Sequence, residues 1–119
     1  ITTLTDQDYN ASLALGGLTK GVTNLELTGA FATIANQGVY TKPVFFTKIV
    51  DHNGKTLLDN TSLQNHRVIK DSTAFLLTDA MAASTENNRK FASSGISVNS
   101  TSTRAHLDNM SVAGKSGTT

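Results

Sequence analysis

Apolar and polar positions change their period several times along the chain, and each change marks an element. Residues 1–19 have no clean repeat: Thr5-Asp6-Gln7-Asp8 suits a short helical turn, and Ala11-Ser12-Leu13-Ala14-Leu15 is an apolar patch closed by Gly16-Gly17, so an irregular lead-in is expected. Leu27, Ala30, Phe31, Ile34 and Ala35 then recur at three- and four-residue spacings, which predicts a buried helix over 24–37. Its start is marked by Thr23-Asn24-Leu25-Glu26, a capping box in which the Thr oxygen takes an orphan amide and the Glu reaches back to the cap. Gly38 stands where a left-handed C-cap belongs.

Val39-Tyr40-Thr41 leads past Pro43 into Val44-Phe45-Phe46-Thr47-Lys48-Ile49-Val50, whose β-branched and aromatic residues predict a strand. Asp51-His52-Asn53-Gly54-Lys55 supplies Asn-Gly turn chemistry and Thr56-Leu57-Leu58-Asp59 the return, giving a hairpin near 44–58. After a polar stretch, Asp71 or Ser72 caps a helix near 72–83 with Phe75, Leu76, Ala80 and Met81 on one face. From Ser84 to Thr103 the pattern turns polar around Ile96 and Val98, which reads as a long exposed loop. A last strand is expected near 111–118, and Phe31, Phe45, Phe46 and Phe75 are expected in the core. The order of elements predicts an α+β fold.

At 119 residues and 12.6 kDa the chain amounts to one domain or a part of one. Ten Lys and Arg against nine Asp and Glu leave a net charge of +1 with the signs interspersed, which argues against a nucleic-acid or polybasic membrane surface. No apolar stretch approaches the roughly 20 residues that cross a bilayer, so the chain itself is expected to be soluble. The absence of cysteine excludes disulfides, thiolate chemistry and Cys-ligated zinc. Ser, Thr and Asn make up about a third of the residues while charged ones reach 16%, a surface common outside the cytoplasm.

Chemistry concentrates in Met110-Ser111-Val112-Ala113-Gly114-Lys115-Ser116-Gly117-Thr118-Thr119. Gly114-Lys115-Ser116 resembles the end of a phosphate-binding loop, but Asn109 occupies the position of that loop's first glycine and the strand-like residues fall inside the motif. Lys115-Ser116-Gly117 also matches the lysine, hydroxyl, glycine signature of penicillin-binding proteins and serine β-lactamases. A cation, a hydroxyl beside it and a glycine that lets a ligand approach the backbone form a compact carboxylate site. Alone, the triplet is short enough to arise by chance.

Longer segments extend the match. Ala14-Leu15-Gly16-Gly17-Leu18-Thr19-Lys20-Gly21-Val22-Thr23-Asn24-Leu25-Glu26-Leu27-Thr28-Gly29-Ala30-Phe31, Ala35-Asn36-Gln37-Gly38-Val39-Tyr40 followed by Lys42-Pro43, the hairpin from Asp51 to Leu58, Arg67-Val68-Ile69 and Val112 to Thr119 together resemble class A penicillin-binding proteins over roughly residues 13–85 and 100–119. The resemblance implies part of a peptidoglycan D,D-transpeptidase domain, with residues 1–119 forming an incomplete portion and no second domain. It implies no cofactor and no metal. Its partners would be the peptidoglycan stem peptide, β-lactams and the rest of the transpeptidase domain; its place would be the extracytoplasmic face of a bacterial membrane, reached through an anchor elsewhere in the protein. Carried over by position, Lys115 raises the local positive potential, Ser116 binds the substrate carboxylate and Gly117 keeps the edge open. Thr118 supplies an oxyanion-hole amide and a hydroxyl to the carboxylate site.

The chain also departs from the family pattern. The residues three before its seven lysines are Gly17, Val39, Phe45, His52, Arg67, Asn87 and Val112, so the S-x-x-K nucleophile motif is missing and the nucleophile is expected outside this chain. Ser97-Val98-Asn99 matches S-x-N by composition alone, in a segment where the family does not place that motif. Ser100 and Ser102 stand where the family usually has glycines around Thr101, which makes positive backbone angles costlier there. His52, His66 and His106 share no metal-like spacing and read as surface histidines. Asp51, Asn53 and Gly54 faintly resemble a calcium loop, but Lys55 occupies a ligand position and the hairpin explains them better. The alternative to an enzyme is a catalytically silent binding or scaffold domain of the same fold.

Overall fold

The computed structural model describes residues 1–86 and 100–117. Thr118, Ser97, Asn99 and the middle of the loop expected over 84–103 lie outside the described residues. The elements are helices α1 (Asn24–Ala35) and α2 (Asp71–Ala83) and strands β1 (Val39–Thr41), β2 (Lys48–Val50), β3 (Thr56–Asp59) and β4 (Asn65–Arg67), with single 3-10 turns at Asp6–Asp8, Ala11–Leu15 and Thr103–Ala105. The fold is α+β, as expected.

The lead-in is irregular but tied down by two carboxylates. Asp8 is only 1% exposed. Its Oδ2 accepts the Thr5 amide at 2.7 Å and hydroxyl at 2.8 Å, and its Oδ1 accepts the Thr19 amide at 2.6 Å and hydroxyl at 2.7 Å. The Thr19 hydroxyl and amide, followed by the two Thr5 groups, hold this carboxyl well below the usual carboxylate range. Glu26 plays the matching role at α1. Its amide donates to Thr23 Oγ1 at 3.2 Å and its Oε2 accepts from Thr23, completing the predicted capping box. Its other oxygen takes the Thr2 amide and hydroxyl at 2.6 and 2.7 Å, and these donors, the Thr2 amide foremost, lower its pKa to about 2.

α1 stops at Ala35, two residues before the expected end, because the chain turns left-handed at Gln37 (φ 53°) and Gly38 (φ 84°). Gly38 is demanded twice over: a Cβ there would stand 2.3 Å from the Ile69 carbonyl oxygen. Its own carbonyl accepts the Val68 amide at 2.8 Å, and the Arg67 guanidinium donates to the carbonyls of Gln37 and Ile69. The end of α1 is thereby joined to the entrance of α2.

β1 pairs antiparallel with β4, placing Val39 opposite Arg67, Tyr40 opposite His66 and Thr41 opposite Asn65. This ribbon corrects the sequence reading, which left Val39-Tyr40-Thr41 as a lead and the residues after Asp59 as a polar stretch; backbone pairing needs no apolar side chain, and Asn-His-Arg carries none. The Asn-Gly hairpin forms as expected between β2 and β3, but its first strand covers only 48–50 of the predicted 44–50, with a bulge between Ile49 and Val50. Asp51 Oδ1 accepts the amides of Asn53 and Lys55 at 2.8 and 2.9 Å, and Gly54 takes φ 80°.

The helices bury different faces from those predicted. On α1 the buried positions are Gly29 and Thr33, while Leu27 and Phe31 are exposed. Gly29 faces the Tyr40 ring, which lies 3.6 Å from where a Cβ would sit, an ordinary packing distance. On α2 Ala74 is buried and Phe75, at 71% exposure, is not. Phe45, 88% exposed, and Phe46 also lie outside the core, so the expectation of a four-phenylalanine core is corrected. Two helices and two separate two-stranded ribbons are too few layers to cover both faces of either helix. The radius of gyration, 18.8 Å, accordingly exceeds the ~13.5 Å of a compact domain of this length.

Candidate functional site

The predicted strand near 111–118 is absent over its described part: residues 111–117 join no ladder, the nearest pairing being an isolated bridge between Leu107 and Met110. No strand among the described residues is adjacent to complete it. The segment is held instead by the C-terminal end of α2. A helix leaves its last carbonyls without intrahelical partners, and here those groups serve as anchor points. The Gly114 amide donates to the Met81 carbonyl at 3.2 Å, and the Gly114 carbonyl accepts the Ser84 hydroxyl at 2.5 Å. The hydroxyl of Thr85, only 2% exposed, lies 2.8 Å from the Val112 carbonyl and 2.9 Å from the Ala82 carbonyl and shares its proton between them.

A second segment uses the same turn. Ser100 donates its hydroxyl to the Ala83 carbonyl at 3.0 Å, and the Ser102 amide donates to the Ser84 carbonyl at 3.0 Å. Carbonyls 81–84 thus each meet a donor, and two stretches of chain are fixed relative to one another by one turn of backbone. Ser102 takes φ −116°, so serine suits this position without left-handed geometry. Its own hydroxyl is buried with no hydrogen-bond partner among the described residues. These contacts correct the expectation of exposure at both ends of the 84–103 loop.

Beyond this clamp Lys115, Ser116 and Gly117 are exposed. The Lys115 ammonium donates to the Ser116 carbonyl, and the Ser116 hydroxyl donates to Thr101 Oγ1 at 3.0 Å. A Cβ added at Gly117 would meet open space, and its φ is outside the left-handed range, so neither packing among the described residues nor backbone strain requires glycine there. A cation, a hydroxyl and an unobstructed backbone edge occur within three consecutive residues. This set suits an anionic group approaching along the segment.

Other chemistry-bearing residues do not converge. His66 stacks obliquely on Tyr40 with centroids 5.4 Å apart, and His106 lies 3.7 Å from Asp108 with both side chains exposed. Among the described residues no group of three His, Asp or Glu is arranged to hold a metal ion. Asp51 spends one carboxylate oxygen on its own turn, as the hairpin reading requires. A groove of about 610 Å³ between α1 and α2 is lined by Ile34, Ala74 and Phe75 and lies away from Lys115. No described helix is long and apolar enough to cross a membrane.

Sequence reading missed Ser84, Thr85 and Thr101. The available signal was a Ser-Thr pair directly after an apolar helix, where hydroxyls readily back-bond to carbonyls.

Comparison with known proteins gives the family. The penicillin binding protein transpeptidase domain matches residues 3–119. Penicillin-binding protein 1F of Bacillus subtilis (strain 168) is 44% identical over 71 residues, 60% of this chain and 10% of that protein. Penicillin-binding protein 1A of Clostridium botulinum (strain Langeland) is 33% identical over 113 residues, 95% of this chain and 12% of its own length. Penicillin-binding protein 1A of Aquifex aeolicus (strain VF5) is 36% identical over 91% of the chain and 13% of its own length. The chain therefore spans about a tenth of the length of the curated relatives it matches. It belongs to the penicillin-binding protein transpeptidase family, as part of a class A transpeptidase domain.

Proposed function

We propose that this chain supplies the carboxylate-binding edge of a serine-type peptidoglycan D,D-transpeptidase, in a membrane-anchored protein acting on the extracytoplasmic face of a bacterial membrane. The observation that carries the reading is the exposure of Lys115, Ser116 and Gly117 on a segment clamped to α2. A serine outside the chain attacks the carbonyl of the penultimate D-alanine. The serine oxygen–carbon bond forms, the peptide C–N bond breaks, and the terminal D-alanine amine leaves with a proton. An amine from a neighbouring stem peptide then displaces the serine. A β-lactam acylates the same serine by opening its ring amide.

Lys115 provides positive potential for the substrate carboxylate and Ser116 a donor to it. Gly117 keeps the ligand's path to the backbone open. The open space around Gly117 among the described residues is compatible with this role. The Thr118 amide supplies an oxyanion donor. The exposure of Phe75 and Leu76 on α2, with Leu27 and Phe31 partly exposed on α1, supports packing of the rest of the transpeptidase domain against these helices. In isolation the chain is inactive, since acylation needs an activated serine and S-x-x-K is absent.

The test is acylation by a fluorescent penicillin. The chain alone remains unlabelled, while in the full-length protein Lys115→Ala slows acylation about a hundredfold with unchanged melting temperature. Stoichiometric labelling of the isolated chain, or wild-type acylation of the variant, overturns the reading. The catalytically silent alternative is favoured instead if the full-length protein lacks S-x-x-K upstream and takes no label.

A further inference from the structure

We propose that Thr101 is a positioning residue for Ser116, forming a two-hydroxyl relay that holds the Ser116 donor ready for an incoming carboxylate. The proposal rests on the carboxylate-binding reading of Lys115-Ser116-Gly117. Its basis is the 3.0 Å contact between Ser116 Oγ and Thr101 Oγ1, made across a sequence separation of 15 residues. Both oxygens are on the surface, where a lone hydroxyl pair is ordinarily a transient meeting in water. Here the backbones on either side are fixed to the same turn. Ser100 and Ser102 bind the carbonyls of Ala83 and Ser84, and Gly114 binds the Met81 carbonyl and the Ser84 hydroxyl. The two hydroxyls are therefore brought together by a common anchor.

The direction of the proton gives the pair its function. Across the 3.0 Å contact either hydroxyl can donate to the other. A carboxylate only accepts, so on its arrival the Ser116 proton points to it and Thr101 is the member of the pair that donates into the Ser116 oxygen. The chain Thr101 O–H to Ser116 O–H to carboxylate has all its members paired, and each donor polarises the next. Without the Thr101 hydroxyl, Ser116 rotates among rotamers in water and must be ordered by the ligand itself. The serines on either side of Thr101 extend this account: Ser100 is held through its hydroxyl, a bond glycine could not make, and Ser102 through its backbone amide.

The test uses the full-length protein and the concentration dependence of acylation by benzylpenicillin, which separates binding from the acylation step. Thr101→Val, which keeps the shape and removes the hydroxyl, is expected to weaken pre-acylation binding about tenfold, and Thr101→Ser to remain within about twofold of wild type. In a Ser116→Ala background, Thr101→Val adds less than about twofold, because the interaction it serves is gone. The methyl ester of benzylpenicillin, lacking the carboxylate, is insensitive to Thr101→Val. Thr101→Ala replaces the valine variant if the latter does not fold, with the same expectations. Equal losses in Thr101→Val and Thr101→Ser, an undiminished loss in the Ser116→Ala background, or wild-type binding by Thr101→Val overturns the relay while leaving the site reading intact. Wild-type binding by Ser116→Ala instead removes the site reading on which the relay depends.

Discussion

Val39–Thr41 and Ser111–Gly117 are both short segments fixed beside a helix, and they are fixed by opposite means. The first is held by backbone pairing to β4, extended by the Lys42 amide on the Gln64 carbonyl at 2.9 Å. The second owes its place largely to hydroxyls of other residues, Ser84 and Thr85, which reach its carbonyls across 30 and 27 positions. A ladder tolerates most side chains, because the backbone makes the bonds. A hydroxyl clamp depends on particular residues, but it leaves the edge of the held segment unpaired and its side chains available. On the proposed reading, Lys115, Ser116 and Gly117 use that freedom.

The largest effect should come from breaking the ladder side at its left-handed glycine. Gly38→Ala places a Cβ in a left-handed backbone 2.3 Å from the Ile69 oxygen. In the full-length protein, urea unfolding of the transpeptidase domain should show a loss of about 3 kcal/mol. Substitution of Tyr40 to Thr, which preserves the ladder amides, should cost far less; an equal loss would mean that side-chain packing rather than backbone pairing holds β1.

Thr85→Val probes the clamp. It leaves the Val112 carbonyl without its hydroxyl donor and should cost about 2 kcal/mol, together with slower acylation by fluorescent penicillin. Thr85→Ser should recover both. Unchanged stability and acylation in the valine variant would show that the segment is held by something other than the hydroxyls. A smaller loss, about 1 kcal/mol, is expected for Thr23→Ala at the α1 cap, with acylation unaffected.

The smallest effect separates hydroxyls on carboxylates from hydroxyls on carbonyls. Asp8 and Glu26 have folded-state pKa values below their unfolded ones, so their stabilisation is complete above about pH 5 and is lost as pH falls through the folded values. Stability should therefore be flat between pH 7 and 5 as far as these groups decide it. Below pH 4.5 it should decline, with the Glu26 share largely gone by about pH 2. Urea midpoints of wild type and an Asp8→Asn, Glu26→Gln double variant, measured from pH 7 to 2, should converge at the acid end. The clamp at Ser84 and Thr85 contains no titrating group and should give no such slope.

The legible parts of the sequence were those in which one residue type meets a local geometric demand. Thr23 with Glu26, Gly38, and Asn53-Gly54 are such cases, and each was found where expected. The Lys115-Ser116-Gly117 triplet stood out because its three residue types occur together, and the structure leaves all three exposed. Helix faces were misread, since periodicity finds an apolar stripe but not what covers it: α1 buries Gly29 and Thr33 in this chain and leaves Leu27 and Phe31 partly exposed. β4 escaped notice because Asn-His-Arg contributes backbone rather than hydrophobicity. The clamp escaped because a hydroxyl-to-carbonyl bond between Thr85 and Val112 has no period and no spacing rule.

The β1–β4 ribbon encloses the β2–β3 hairpin, and this nesting has a kinetic consequence. Zipping the inner hairpin at its Asn-Gly turn shortens the free chain between residues 42 and 64, so the outer pairing closes a smaller loop at lower entropic cost. Folding should therefore proceed outward from Asn53-Gly54, with the β2–β3 amides acquiring exchange protection before those of β1 and β4. The order in which Gly38, Arg67 and the start of α2 lock together is then set by a turn with no part in the site itself.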